Sequence, residues 1–139
     1  LGKKTGVGWY RYPGGGRRVD DPLVEDLIRE ESHFAKVTRR DIRKDEITKT
    51  LLLAMINEAA NILYEGIAQS AADIDLVTVF GYGFPRWRGG LMHYADEVGV
   101  DNIVRDLTEL AKTDPIAWAV SPALIYCAQS GITLMQYRR

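Results

Sequence analysis

Apolar residues recur at helical spacing through most of the chain, broken at intervals by glycine and proline. Asp20-Asp21-Pro22 is a helix start, an acidic cap followed by proline in the first turn, and Leu23, Val24, Leu27 and Ile28 then repeat every three or four residues. The spacing predicts a helix over about 22–36. The longest element is predicted from about Asp45 to Gln69, where Leu52, Met55, Ile56, Ala59, Leu63 and Ile67 make one continuous stripe. A second stripe, Ile47, Leu51, Ala54 and Ile62, runs beside it with Glu58 and Glu65 set into the same face.

Ser70-Ala71-Ala72-Asp73 has the form of a capping box, and Ile74, Val77 and Phe80 carry a short helix as far as Gly81. Leu91 to Val98 is a further short helix closed by Gly99, Asp101 caps a helix with Ile103, Val104, Leu107 and Leu110 on one side, and Ser121-Pro122 opens a last helix that Gly131 closes. No segment sustains period-two alternation beyond a few residues. The expected fold is all-α, a compact multi-helix bundle around one long central helix.

Between the third and fourth predicted helices lies Gly81-Tyr82-Gly83-Phe84-Pro85-Arg86-Trp87-Arg88-Gly89-Gly90. Four glycines and a proline in ten residues cannot continue either flanking helix, so this is a shaped turn. Its aromatics give it a small apolar core, and Arg86 and Arg88 beside glycine N–H groups are a possible phosphate contact. The structural alternative is a corner between helices, with Glu58 or Glu65 accepting from its backbone N–H groups or from the two arginines. A carboxylate among apolar neighbours must reach solvent or find a donor, which makes Glu58 the most informative acid; a general base is its other reading.

Residues 1–18 read as an irregular or strand-like arm and linker, because Gly2, Gly6, Gly8 and Pro13-Gly14-Gly15-Gly16 leave no room for a helix. Trp9, Tyr10 and Tyr12 in that arm want a surface to pack against. Residues 19–139 are expected to form the helical domain. The start, Leu1-Gly2-Lys3-Lys4, has neither an initiator Met nor a signal-peptide core, so the chain reads as a piece of something longer.

Composition changes the picture little. The 139 residues are 46% hydrophobic and 27% charged, enough for one ordinary domain, and a net charge of -1 argues against nucleic acid or an anionic membrane as the main partner. No apolar run approaches a membrane span. The single cysteine, Cys127, rules out an internal disulfide, points to a reducing compartment and sits in an apolar run as a buried, inert thiol. His33 and His93 belong to no zinc spacing, no Gly-x-Ser-x-Gly elbow is present, and no glycine cluster sits between a strand and a helix as a dinucleotide fingerprint requires. No metal is expected, and neither hydrolase nor nicotinamide chemistry is supported by motif.

Five motifs in order do carry a resemblance: Asn57-Glu58-Ala59, Glu65-Gly66-Ile67-Ala68, Asp73-Ile74-Asp75, Gly81-Tyr82-Gly83-Phe84-Pro85 with Gly89-Gly90, and Tyr94-Ala95-Asp96. Over roughly residues 44–131 the chain resembles the C-terminal helical domain of 3-hydroxyacyl-CoA dehydrogenases, most closely the last domain of the multifunctional fatty-acid β-oxidation enzymes. The arm from Leu1 to Tyr12 is similar to the segment that closes the preceding helical repeat in that family. The resemblance implies a parent oxidoreductase that converts 3-hydroxyacyl-CoA to 3-ketoacyl-CoA with NAD and carries an enoyl-CoA hydratase unit. It implies a cytoplasmic location in a bacterium and a peroxisomal one in a eukaryote.

The resemblance also implies a loss. The family's catalytic helical domain has an Asn-Arg pair near the start of the long helix, and alignment on Glu58-Ala59 puts Lys49 and Thr50 there. A lysine cannot supply an amide's combined donor and acceptor, so no catalytic residue, and no cofactor, is expected in these residues. By themselves they are expected to be inactive. The implied role is dimer-like packing against the preceding helical repeat and the NAD-binding domain of the same parent chain. The rivals are an acyl-CoA module in its own right, with Glu58 as base and Arg86 or Arg88 on the CoA phosphates, or an adaptor that docks a thiolase subunit. Self-association through a face left bare is a further expectation.

Overall fold

A computed structural model of the protein describes residues 1–138. The chain divides into two compact units, Leu1–Ile42 and a second that runs from Arg43 onward. In the first unit β1 (Tyr10–Arg11) pairs antiparallel with β2 (Val19–Asp20), so the glycine-rich arm is tied to the residues just before Pro22. The Arg11 guanidinium reaches Asp21 Oδ1 at 2.8 Å, and the same carboxylate oxygen accepts from Leu23 N at 3.1 Å. Asp21 thereby caps α1 (Pro22–Phe34) as its sequence suggests, with Pro22 in the first turn. Its carboxyl is held below the ordinary carboxylate range, first by the hydrogen bond from Arg11. Tyr10 and Tyr12 are half-buried, Arg18 stacks over the Tyr10 ring, and Trp9 stays exposed. No residue of α1 is buried.

The second unit holds, among its described residues, five helices: α2 (Lys44–Glu65), α3 (Ala71–Gly81), α4 (Leu91–Val98), α5 (Val100–Ala111) and α6 (Pro122–Ser130). The long helix ends four residues before the expected Gln69, because Gly66 adopts φ 75° and turns the chain, its N–H bonding back to Ile62 and Leu63 carbonyls. Ser70 then caps α3, its hydroxyl accepting from Asp73 N and donating to the Asp73 carboxylate. Val100 rather than Asp101 begins α5, and Asp101 lies in its first turn, where a carboxylate favours the helix dipole.

The core gathers Leu53, Ile56, Ala60 and Leu63 of α2, Leu91, Met92 and Ala95 of α4, Ile103 and Leu107 of α5, and Leu124 and Cys127 of α6, closed by Leu134. Of the stripe expected on α2, Ile56, Ala59 and Leu63 are buried, while Met55 and Ile67 are exposed. Leu51 and Ile47 of the second stripe are exposed too. The helix is apolar on two sides, and the five-helix core covers one of them. Among the described residues no helix is long and apolar enough to cross a membrane.

The two serines at helix starts differ in what their hydroxyls do. Ser70 is a working cap, whereas Ser121 Oγ is buried and has no hydrogen-bond partner among the described residues. Ser70→Ala is expected to lower unfolding stability by about 1 kcal/mol. Ser121→Ala is expected to change it by less than about 0.5 kcal/mol or to raise it, since no hydrogen bond is lost. Urea unfolding of both variants beside the parent sequence checks the contrast.

Candidate functional site

The signature residues meet where α3 crosses the start of α4. An α-helix begins with N–H groups that have no partner within the helix, and Gly90, which precedes α4, has no side chain to satisfy them. The acceptors come from α3. Asp75 Oδ1 accepts from Met92 N at 2.6 Å and Oδ2 from His93 N at 3.1 Å, while Thr78 Oγ1 accepts from Leu91 N at 3.3 Å and donates to the Asp75 carbonyl. Three successive donors of α4 are thus satisfied from one face of α3. Asp75 is 7% exposed, and burial pushes its carboxyl above the ordinary range, partly opposed by the two N–H bonds.

The turn between the helices brings the chain back for this contact. Phe84 N bonds to the Thr78 carbonyl at 2.9 Å, and a single tight turn over Arg86–Arg88 is closed by Gly89 N to Arg86 O at 3.0 Å. Gly90 has φ 124°, and a Cβ placed there would land on the Cβ and carboxyl carbon of Asp75. Only glycine fits, for backbone and for space. The Arg86 guanidinium stacks over Phe80 at 5.2 Å, and that of Arg88 lies over Trp87 at 4.4 Å and Tyr94 at 5.0 Å. Phe84 packs against Tyr94, with ring centres 6.2 Å apart.

Two more polar side chains do the same work elsewhere. Asn57 Nδ2 donates to Ala119 O at 2.8 Å and its Oδ1 accepts from Ser121 N at 2.8 Å, fastening the loop before α6 to the long helix. Asp96 on α4 accepts from Leu134 N at 2.7 Å and Met135 N at 3.1 Å, holding the last turn of chain against the core.

The expectation is that Glu58 or Glu65 accepts from the turn's N–H groups or from Arg86 and Arg88. The turn's own N–H groups instead bond to backbone carbonyls, Phe84 to Thr78 and Gly89 to Arg86, and the first N–H groups of α4 go to Asp75 on α3, while Glu58 stands exposed on α2. A signal existed in the sequence: a helix starting after Gly89-Gly90 has no local cap, so a short acid elsewhere had to supply one. Of the other signature positions, Gly66 ends α2, Asp73 completes the α3 cap, Gly81 is the last residue of α3, Gly83 takes φ 72° in the turn, and Pro85 leads into the Arg86–Arg88 turn.

Lys49, early in α2, pairs with Asp106 of α5 at 2.7 Å beside a shallow cavity of about 310 Å³ that Asp45, Thr48 and Tyr94 also line. A second cavity of about 520 Å³ lies by Asp75, Arg86 and His93. Cys127 is buried, and its thiol is pushed up to about 11, chiefly by burial. Among the described residues no group of three or more His, Cys, Asp and Glu converges to hold a metal.

The family described as 3-hydroxyacyl-CoA dehydrogenase, C-terminal domain, matches residues 47–125, a span that contains Asn57, Asp75, the turn, Gly90 and Asp96. The chain belongs to this family. The chain is 40% identical over 117 residues to the peroxisomal bifunctional enzyme of Cavia porcellus, covering 83% of this chain and 16% of that protein. It is 42% identical over 109 residues to the peroxisomal bifunctional enzyme of Danio rerio, covering 77% and 15%. It is also 30% identical over 139 residues to a peroxisomal fatty acid beta-oxidation multifunctional protein of Arabidopsis thaliana, covering 97% and 19%. The chain therefore spans less than a fifth of the length of these relatives. The dehydrogenase C-terminal domain family thus gives its motif a physical meaning here: three polar side chains and one glycine set three chain reversals.

Gly90→Ala is expected to cost about 3 kcal/mol or more, since strain at positive φ adds to the clash with Asp75. Asp75→Asn is expected to cost about 1–3 kcal/mol, because its amide nitrogen would face a backbone donor. Chemical unfolding monitored by circular dichroism measures both. The pH dependence has a definite sign. The folded state holds the Asp75 proton more tightly than the unfolded chain does. This group's contribution to stability is thus greatest below the ordinary carboxylate range and falls as pH rises through its raised pKa. In Asp75→Asn that part of the pH profile should flatten. The Cys127 thiol likewise ionises first in the unfolded chain, so stability should fall between its ordinary pKa and about 11, and disulfide reagents at pH 8 should label it only on unfolding.

Proposed function

We propose that this chain is the non-catalytic C-terminal helical domain of a multifunctional β-oxidation enzyme. Its parent would oxidise 3-hydroxyacyl-CoA to 3-ketoacyl-CoA with NAD, and its role would be to pack against the preceding helical repeat in a dimer-like manner. One observation carries this most directly: three of the polar signature residues, Asn57, Asp75 and Asp96, are engaged in holding the domain's own chain, so they are not free for a substrate. Asn57, Asp75 and Asp96 all accept from backbone N–H groups of this chain. At the position where the resemblance puts the family's asparagine stands Lys49, whose ammonium is taken up by Asp106.

An acyl-CoA site at the turn has less support. The helix N-terminus that could receive a phosphate already holds the Asp75 carboxylate, and a second anion there would be repelled. Arg86 lies over Phe80 of α3, and Arg88 over Trp87 of the turn and Tyr94 of α4. A peroxisomal location is favoured by the names of the relatives.

Removing residues 43–139 from the parent enzyme is expected to lower its thermal midpoint and its dehydrogenase rate together; an unchanged rate and midpoint would overturn the proposal. Within the intact parent, Lys49→Ala is expected to cost about 0.5–1 kcal/mol through loss of the Asp106 pair, leaving the dehydrogenase rate unaltered. A substantial fall in that rate without loss of fold would return Lys49 to the catalytic machinery.

A further inference from the structure

The side of α2 that the core leaves bare forms, with α3, an apolar groove of about 540 Å³. Met55, Ile62, Ile67, Ile74 and Val77 line it, with Tyr82 at one end. It stands open: Ile67 is 71% exposed, Val77 57% and Tyr82 79%. An apolar helix face is normally buried against another element, and of the two apolar sides of α2 the core covers one. Along the bare side Leu51, Met55, Glu58 and Ile62 recur every three or four residues, which is the spacing of a helix–helix contact.

The charges restrict the occupant. Glu58 and Asp73 line the groove and no Lys or Arg does; Glu58 has no ion-pair or hydrogen-bond partner among the described residues. An acyl-CoA or a free fatty acid would bring its own anion to these carboxylates without a cation to meet it. A helix with an apolar stripe and a Lys or Arg facing Glu58 is complementary on both counts. The relatives extend far beyond the span that this chain matches, which leaves ample chain to supply one.

We infer that the α2–α3 groove is the seat of an amphipathic, basic-flanked helix of the preceding repeat, with its cation on Glu58. This rests on the packing role proposed above and adds the face and the chemistry of its partner. Val77 on α3 and Met55 on α2 make the two walls, and Tyr82 makes the stop at one end. The Asp75 clamp sets the groove indirectly, since it fixes α3 against α4.

The test mixes the 139-residue chain with the separately expressed upstream portion of the parent enzyme and measures binding by calorimetry. Val77→Asp should weaken it about tenfold or more and Glu58→Lys about threefold. Ile125→Ser, at an exposed position on α6 outside the groove, should leave it unchanged. Circular dichroism confirms that each variant is folded, and Glu58→Lys is an exposed helix position that keeps the test decisive if Val77→Asp unfolds. Equal binding by all variants would overturn the groove assignment while leaving the packing role intact. No binding by the unaltered chain would overturn the packing role and the groove assignment with it. Two further results would overturn the assigned occupant: dimers of the chain alone that Val77→Asp dissociates, with no upstream binding, and dodecanoyl-CoA binding that Val77→Asp abolishes.

Discussion

The carboxylate of Asp75 on the first N–H groups of α4 is the contact on which the second unit's arrangement turns. Two bonds, at 2.6 and 3.1 Å, join helices that are 17 and 18 residues apart at the bonded positions. Buried N–H groups left without acceptors would cost about 1–3 kcal/mol each, so this contact decides between a seated α4 and none. The helix dipole adds to it, because the anion sits at the positive end. Gly90 belongs to the same device: its missing side chain is what lets the carboxylate come close enough.

The same solution recurs on a smaller scale. Asn57 uses both ends of its amide on the loop before α6, and Asp96 uses both oxygens on the last turn near Leu134. In each case a short polar side chain on a helix accepts backbone N–H groups at the start of another helical segment, Ser121 before α6 and Leu134 and Met135 of the short turn Leu134–Gln136. Hydrophobic burial by Ile56, Met92, Ile103, Leu107 and Leu124 supplies the drive to compactness, while these few polar contacts specify which loop goes where.

This division of labour bears on function. Asp75 and Asp96, which look available for chemistry in a string of letters, are engaged in holding the chain, and Glu58, without a partner among the described residues, stands on a bare apolar face where a protein partner is a better match than a small anion. The arginines of the turn are laid over rings and stiffen the corner. The domain offers a surface more clearly than it offers a reaction.

Helix periods, caps and breakers were legible in the residues alone. The five helices described in the second unit and α1 lie close to where the apolar spacing puts them, with Ser70, Asp21 and Pro22 at their starts and Gly99 and Gly131 at two of their ends, because those effects act within a few residues; the stop at Gly66 is hidden by an apolar stripe that runs on past it. The family was legible as well, since its motif keeps its order and spacing. What only the tertiary structure decided is which acid meets which donor. Glu58 and Glu65 are as plausible by sequence as Asp75, yet the choice depends on which helix crosses the α4 N-terminus and at what depth. The same limit applies to α2: its two apolar stripes are equally visible in sequence, and only packing shows that Ile56, Ala59 and Leu63 face the core while Met55, Ile67, Ile47 and Leu51 face outward. Local rules set each element, but a contact between elements far apart in the chain is set by how all of them share one interior.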